Sequence, residues 1–527
     1  MAAPTFNIAD LFEQAVDEWP DRPYVADERA RRTYAEMERR ANRLAHHLAA
    51  HGVVPGDRVG IYAYNRVEWV EALWAVFKLR AVWININYRY VDDELRYLFD
   101  QADLTYLIVE PEFAARAAGV APDVPQLVIG PAYEAALDGQ LDRRDFAARS
   151  NDDHYILFTG GTTGMPKGVV WRHRDVVMAL GGGVDIRTGE VVDEPGGFVT
   201  KGNSGFRMVS FPLPPLMHGA TQWNVMGQAF IGGAMVLRAR FDAAEVWRTV
   251  AGEHVNSLFI TGDAMARPLL DAYEAEVAAG RTPDTSSLFM VGSSAVLFSQ
   301  HAKDRFFDLF PNLLISDSVG SSEGGANGFT LITKGTVMKG GPTVTAAPQS
   351  LVLDDDLRPV APGAGVVGRL ARRGNIPVGY LNDPVKTAQV FVTAADGTRY
   401  VIPGDHATVE SDGSITLLGR GSVCINSGGE KIFPEEVENA LKSHPAVYDA
   451  VVVGVPDDRW GERVVAVIAP VAGAVPSLDS VQAHCRRHIA GYKIPRDLVV
   501  VGTVLRSPSG KLDYRWAKRV ATGEEIA

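Results

Sequence analysis

The run Phe158-Thr159-Gly160-Gly161-Thr162-Thr163-Gly164-Met165-Pro166-Lys167-Gly168-Val169 constrains this chain more than any other. Its glycines allow close backbone approach and let amides converge on an anion. The threonines add hydroxyl donors and Lys167 adds a point charge. Tyr155 to Thr159 reads as a short buried strand that delivers the chain into this loop. Such a loop can wrap a polyphosphate. It is not a Walker loop, which needs Gly before the Lys and Ser or Thr after it, because Pro166 precedes Lys167 and Gly168 follows. The plainer alternative is a surface turn between two strands.

At 527 residues the chain is too long for one ordinary core, so two or more domains are expected. With 46% apolar and 22% charged residues, disorder does not dominate. A net charge of −12 argues against non-specific nucleic-acid binding, so an anionic ligand must be held by local donors. Cys424 and Cys485 are the only cysteines, which excludes a disulfide scaffold and a cysteine-rich metal site. A reducing cytoplasm is the expected location. Met1 to Asp10 lacks the pattern of a signal peptide, and the apolar stretch Ala72 to Ile86 is cut by Lys78 and Arg80. No integral membrane segment is expected.

Helical and strand patterns alternate, which predicts an α/β architecture. Tyr34 to His51 reads as an amphipathic helix with Ala41, Leu44, Ala45 and Leu48 on one face, followed by a turn and the strand-like Arg58 to Tyr62. A similar unit starts at Val67. Gly181 to Gly205 has weak periodicity and reads as a long loop or insertion, either a functional lid or a surface excursion. The character changes at Gly419–Ser422, where a smaller α+β module begins. There Pro434 opens a helix through His444, and strands Asp449 to Val455 and Arg463 to Ala469 flank the turn Pro456-Asp457-Asp458. The expected domains are 1–420 and 421–527.

Further segments give the loop its context. They are Pro212-Leu213-Pro214-Pro215-Leu216-Met217-His218-Gly219-Ala220, Ser293-Ser294-Ala295-Val296, Asp317-Ser318-Val319-Gly320-Ser321-Ser322-Glu323, and Pro403-Gly404-Asp405. Two more follow: Gly419-Arg420-Gly421-Ser422 running on to Gly428-Gly429-Glu430-Lys431, and Ser507-Pro508-Ser509-Gly510-Lys511. Taken alone, Pro-Gly-Asp is a common turn. Together, in this order, these segments resemble the adenylate-forming (ANL) superfamily of acyl-CoA synthetases, luciferases and peptide-synthetase adenylation domains. The resemblance spans essentially residues 5 to 520 and implies a large N-terminal α/β domain with a small mobile C-terminal α+β domain.

The resemblance also implies roles. Thr159, Gly161, Thr162, Thr163, Gly164 and Lys167 would hold phosphates, and Ser294, Ala295 and Val296 would meet adenine. Asp317, Ser318, Val319, Gly320, Ser321 and Ser322 would flank the nucleotide, with Ser322 donating to the α-phosphate and Glu323 holding Mg²⁺. Asp405 would accept the ribose hydroxyls, while Arg420 and Lys431 would contact ribose or phosphate. Ser422 stands at the hinge, and Gly428 and Gly429 would line a pantetheine tunnel. Lys511 would enter the site for adenylation, and His218 would sit between acyl pocket and reaction centre. His218, Gly219, Gly262, Gly292, Val319 and Gly320 are the expected acyl-pocket residues. The chain departs from the pattern at Val319, where an aromatic is usual, at Ser322 in place of Thr, and at Ser422 in place of Asp or Lys.

Within the superfamily, His218 to Gln222, Thr261 to Pro268, Gly320 to Glu323 and Gly374 to Tyr380 look closest to actinobacterial FadD-type acyl-CoA synthetases for steroid side chains. That resemblance implies conversion of a bulky, steroid- or diterpenoid-like carboxylic acid with ATP and CoA to acyl-CoA, AMP and pyrophosphate. The implied partners are these small molecules, with Mg²⁺ as cofactor, no nucleic acid, and a homodimer left open. Two alternatives stand beside it: a partial enzyme performing one half-reaction, and a ligase loading a carrier protein.

Overall fold

The structure, a computed structural model, describes residues 5–159, 165–185, 188–336, 342–427, 430–457, 460–507 and 510–524. Its largest sheet has 15 strands. Six neighbouring strands in it run parallel, in the spatial order Pro23–Ala26, Ala234–Val236, Val209–Pro212, Ser257–Ile260, Met290–Ser294 and Leu314–Ser321. Leu314–Ser321 then pairs antiparallel with Gly325–Ile332, and the sheet continues through Thr343–Ala346 into an antiparallel lobe that includes Asp405–Val409 and Ile415–Arg420. The α/β expectation holds.

Two smaller sheets complete this part. Arg58–Tyr62, Val82–Asn85, Leu104–Val109 and Gln126–Val128 form a parallel sheet of four. His154–Thr159 and Lys167–Arg172 pair antiparallel on either side of the glycine-threonine loop, so that Thr159 stands opposite Lys167. The amphipathic helix forms over Tyr34–Ala50, opened by a capping box between Thr33 and Glu36. Against it packs Val67–Lys78, a helix buried on nearly every side. Its last residue, Lys78, is fully buried and ion-paired with Glu13 at 2.5 Å and Glu38 at 2.8 Å. A buried ammonium needs such partners. No helix among the described residues is long and apolar enough to cross a membrane.

Ile415–Arg420 belongs to the large sheet, whereas Ile425–Ser427 begins a separate sheet of five strands. Ser422 lies between them in the short 3-10 turn Gly421–Val423. The long hairpin Val447–Asp457 and Gly461–Pro470 dominates the small sheet, with Asp497–Val500 parallel to its second strand. Pro456 pairs with Glu462 and Asp457 with Gly461, so these two residues of the expected turn continue the first strand, while Asp458 lies outside the described residues. Val451, Val453 and Val455 pack on one face of this hairpin and Ala450 and Val452 on the other, the two-residue period of a strand buried on both sides.

The described part of 181–205 contains a helix where the sequence reads as a loop. Gly197–Ser204 forms a helix whose Phe198 is buried, its ring 5.5 Å from that of Phe230. Val184, Val192 and Phe198, all buried in one core, anchor a stretch whose glycines hide any periodicity.

Candidate active site

Three parallel strands end together, which is where ligands sit in sheets of this kind. Ile260 is in register with Ser293, and Ser293 with Asp317, so the residues that follow line up along one edge. Thr261, Ser294, Ala295 and Ser318 to Ser322 line a cavity of about 1430 Å³ there. Ala295 has φ +71°, a left-handed conformation unusual for a residue with a Cβ and often found at functional sites.

Strand alternation decides which side chains reach the cavity. Ser316 and Ser318 face it, and Ser318 Oγ donates to the Ser293 carbonyl at 2.9 Å. Asp317 points the other way, into an ion pair with Lys303 Nζ at 2.6 Å. Burial raises the pKa of its carboxyl while Lys303 opposes that. The expectation that Asp317 contacts nucleotide is therefore corrected: it braces the strand from behind.

Gly262 and Gly292 are corrected likewise. Neither is on the cavity wall. A Cβ on Gly262 would come within 2.3 Å of the Leu297 carbonyl oxygen, and one on Gly292 would meet Phe259 at 3.4 Å. The first glycine lets a helix start press against the 296–297 backbone, and the second packs within the sheet. Val296 also stands off the wall, whereas His218, Gly219, Val319 and Gly320 are on it.

Beside the strand ends lies a second group. Tyr380 Oη donates to Glu323 Oε1 at 2.8 Å, and Lys167 Nζ sits 5.7 Å from the centre of the Tyr380 ring. Trp171 Nε1 donates to the Ser322 carbonyl at 3.0 Å and so fixes that serine's backbone. Sequence reasoning missed Tyr380 and Trp171 as parts of the site. Tyr380 was within reach of the Gly374–Tyr380 segment, but nothing local marks Trp171. Thr159 lines the cavity, while Gly161, Thr162, Thr163 and Gly164 fall outside the described residues, as do Gly428 and Gly429. Asp405 is not among the residues lining the cavity; its backbone stands directly across the sheet from Arg420. Lys431 lies on Glu430–Ile432, opposite Asn426.

The small module closes the cavity from the other side and brings Lys511 to the same wall as His218 and Ser322. Arg506 holds this arm in place. Its guanidinium makes a two-pronged pair with Asp449, at 2.7 to 2.9 Å, and donates to the Gly510 carbonyl at 2.7 Å. The Ser507 amide donates to the Lys511 carbonyl at 2.7 Å. Gly510 takes φ +79°, and a Cβ there would sit 3.0 Å from Thr261 Oγ1, so the arm is pressed against the large domain. Arg267 reinforces the contact by donating to the Lys442 and Val447 carbonyls and lying 5.5 Å from the Tyr448 ring.

His218 is enclosed, and its Nε2 has no hydrogen-bond partner. Burial, with the positive charge of Lys511 and then Arg89, pushes its pKa down to about 3. It is a neutral imidazole lining the same cavity as Lys511, helix Gly219–Phe230, Gly181, Gly182, Val184 and Phe198. From the 181–205 stretch, Gly181, Gly182, Val184, Asp185, Phe198 and Lys201 line this cavity.

Among the described residues no group of three or more metal-ligating side chains occurs. Mg²⁺ needs less, because it keeps waters and takes one or two carboxylates together with substrate phosphates. Glu323 fits that demand: Tyr380 engages Oε1, and Oε2 is left as a hard oxygen ligand.

The profile of the AMP-binding enzyme family matches residues 12–381, and that of the AMP-binding enzyme C-terminal domain matches residues 436–511. A 3-oxocholest-4-en-26-oate–CoA ligase from Rhodococcus rhodochrous is 51% identical, covering 97% of this chain and 95% of the relative. A medium/long-chain-fatty-acid–CoA/3-oxocholest-4-en-26-oate–CoA ligase from Mycolicibacterium smegmatis is 49% identical, covering 98% and 96%. Among solved structures, an anthranilate CoA ligase in complex with anthranoyl-AMP superposes with a TM-score of 0.85 at 22% identity, covering 99% of this chain and 98% of that one.

Proposed function

The chain belongs to the AMP-binding enzyme family, and we propose that it joins a bulky, steroid- or diterpenoid-like carboxylic acid to CoA through an acyl-adenylate. The observation that carries this reading is one continuous cavity. Lys511, His218 and Ser322 line it together with Gly181, Gly182, Val184 and Phe198, and its volume of about 1430 Å³ suits a bulky acid. Relatives that share half their residues with this chain and are named for a steroid acid support it.

In the first step a carboxylate oxygen attacks the α-phosphorus of ATP, the bond to the bridging oxygen breaks, and pyrophosphate leaves. Acyl-AMP remains. In the second step the CoA thiol, losing its proton, attacks the acyl carbon and expels AMP. No protein nucleophile is needed, because nucleotidyl transfer is served by positioning and charge stabilisation. Lys511 brings a cation to the developing charge, and Ser322, fixed by Trp171, offers a hydroxyl donor. Donors of this kind contribute about 3–4 kcal/mol each. Thr159, Gly161 to Gly164 and Lys167 cradle the phosphates, and Ser294 and Ala295 form the adenine wall. Asp405, Arg420 and Lys431 serve ribose and phosphate in this reading. Glu323 would hold an Mg²⁺ arriving with ATP, and the ion would supply charge neutralisation at the phosphates.

His218 stays neutral and separates the acyl pocket from the phosphates without adding a competing cation. The second step requires the 421–527 domain to turn about Ser422, so that Gly428 and Gly429 replace Lys511 and admit the pantetheine arm. Such hinges concentrate their dihedral change in a few residues. Wide acids are favoured because the cavity buries apolar surface, worth roughly 25 cal/mol per Å². The reading places the protein in the cytoplasm, with homodimer formation to be checked by sedimentation.

The test is kcat/KM for acetate, a straight medium-chain acid and a polycyclic acid, followed both as acid-dependent pyrophosphate exchange and as CoA thioester. The polycyclic acid should be the best substrate in both assays. A preference for acetate would overturn the assignment.

A further inference from the structure

Val82–Asn85 is an edge strand of the four-stranded sheet, and His154–Thr159 is an edge strand of the sheet that carries the glycine-threonine loop. Among the described residues no backbone ladder joins these two sheets. The buried carboxamide of Asn85 takes the place of a rung between them. Its Oδ1 accepts from the Phe158 amide at 2.8 Å, and its Nδ2 donates to the Phe158 carbonyl at 2.9 Å. The same nitrogen donates to the Met217 carbonyl at 2.7 Å. An amide nitrogen facing two carbonyls, with its oxygen facing an N–H, admits only this orientation of the side chain. Asn85 lines the cavity, yet both of its N–H groups are used within the protein. It keeps no donor for a substrate.

The two stretches it bonds are those that hold the reactants. Phe158 precedes Thr159, where the phosphate loop begins, and pairs across its hairpin with Gly168 beside Lys167. Met217 precedes His218. A peptide unit is planar, so holding the Met217 carbonyl orients the His218 amide, which itself donates to the Pro215 carbonyl at 3.0 Å. Asn65 secures the same segment further back, accepting from the Leu216 amide at 2.6 Å and donating to the Pro214 carbonyl at 3.3 Å. Gly219 then presses on the strand below, where a Cβ would come within 2.4 Å of Leu157. Three buried backbone groups on two segments thus depend on one side chain, and leaving such groups unpaired is costly.

We propose that Asn85 is a positioning residue for adenylation, setting the register between the loop that holds the ATP phosphates and the His218 segment that borders the acid. This rests on the acyl-adenylate reading above and adds to it the device that aligns the two reactants. Attack on the α-phosphorus needs the carboxylate oxygen about 3–3.5 Å away and in line, and a misplacement of about 1 Å costs on the order of a hundredfold. Once acyl-AMP exists, acid and nucleotide are one molecule, so the register between the two segments matters far less to the second step.

The experiment takes Asn85→Leu, close in size but without polar atoms, through each half-reaction in the full chain. The kcat of acid-dependent pyrophosphate exchange should fall by about 10- to 100-fold, with KM for ATP and for a polycyclic acid within about threefold of wild type. Thioester formation from supplied acyl-AMP and CoA should fall by less than about threefold. Asn85→Asp, which keeps the acceptor for the Phe158 amide and loses the amide donors to the two carbonyls, should show the same split and serves should the first variant fold poorly. Equal loss in both half-reactions would make Asn85 a general stabiliser and overturn the proposal. So would a loss confined to KM for ATP or for the acid, or no loss at all. A wild-type protein without acid-dependent pyrophosphate exchange on any acid would overturn the acyl-adenylate reading itself, and the positioning role with it.

Discussion

A buried imidazole beside a lysine behaves differently from one in water, and His218 is the residue where that matters. With its pKa near 3 it is neutral throughout any ordinary assay range. Removing it should therefore not remove a pH limb. His218→Asn is expected to lower adenylation yet keep the wild-type shape of log kcat/KM between pH 6 and 9. A limb near pH 6.5 that disappears in the variant would show that His218 titrates during turnover. The same depression bears on stability. Below about pH 6.5 the unfolded chain takes up a proton that folded His218 refuses until about pH 3, so stability falls as the pH drops through that window. His173, whose pKa burial lowers to about 4, adds to the same trend.

At the scale of elements, the arm that carries Lys511 is held by a buried cluster in which Asp449 pairs with Arg506 and Lys442. Burial opposes a charged Asp449, but Lys442 and Arg506 outweigh it and lower its pKa. Asp449→Asn would leave Arg506 without its anionic partner and loosen its grip on the Gly510 carbonyl. Breaking a buried pair from one side costs about 3–5 kcal/mol, part of which local relaxation recovers. Pyrophosphate exchange should fall by about 10- to 100-fold, and thioester formation from supplied acyl-AMP by much less. Equal loss in both assays would make the pair a general stabiliser of the small domain.

The same scale separates what the sequence made legible from what it did not. The helices from Tyr34 and Val67 and the Val447–Asp457 hairpin were readable because one-face or two-face burial leaves a periodic trace. The helix Gly197–Ser204 was not, since glycines and charges surround its one anchoring phenylalanine. The site shows the same split. His218, Ser322 and Lys511 share one cavity wall and could be read from motif residues. Asp317, Gly262 and Gly292 belong to the same motifs but face away, because side-chain direction depends on strand parity and backbone packing that a motif does not record.

At the scale of the whole molecule, the two parts meet through the Arg506 arm and the Arg267 contacts, in a pose that puts Lys511 in the cavity lined by His218 and Ser322. The chemistry proposed for the second step needs a different pose. Ser422→Pro, which fixes φ within the turn joining the two sheets, should slow thioester formation more than pyrophosphate exchange. Wild-type rates in both assays would move the hinge elsewhere.

The most direct test of the account is Lys511→Ala assayed in each half-reaction separately, since only the first builds negative charge beside this lysine. Acid-dependent pyrophosphate exchange should fall by at least about two to three orders of magnitude. Thioester formation from supplied acyl-AMP and CoA should stay within a few-fold of wild type. Equal loss of both half-reactions, or retention of both, would contradict the claim that this pose is the adenylating one.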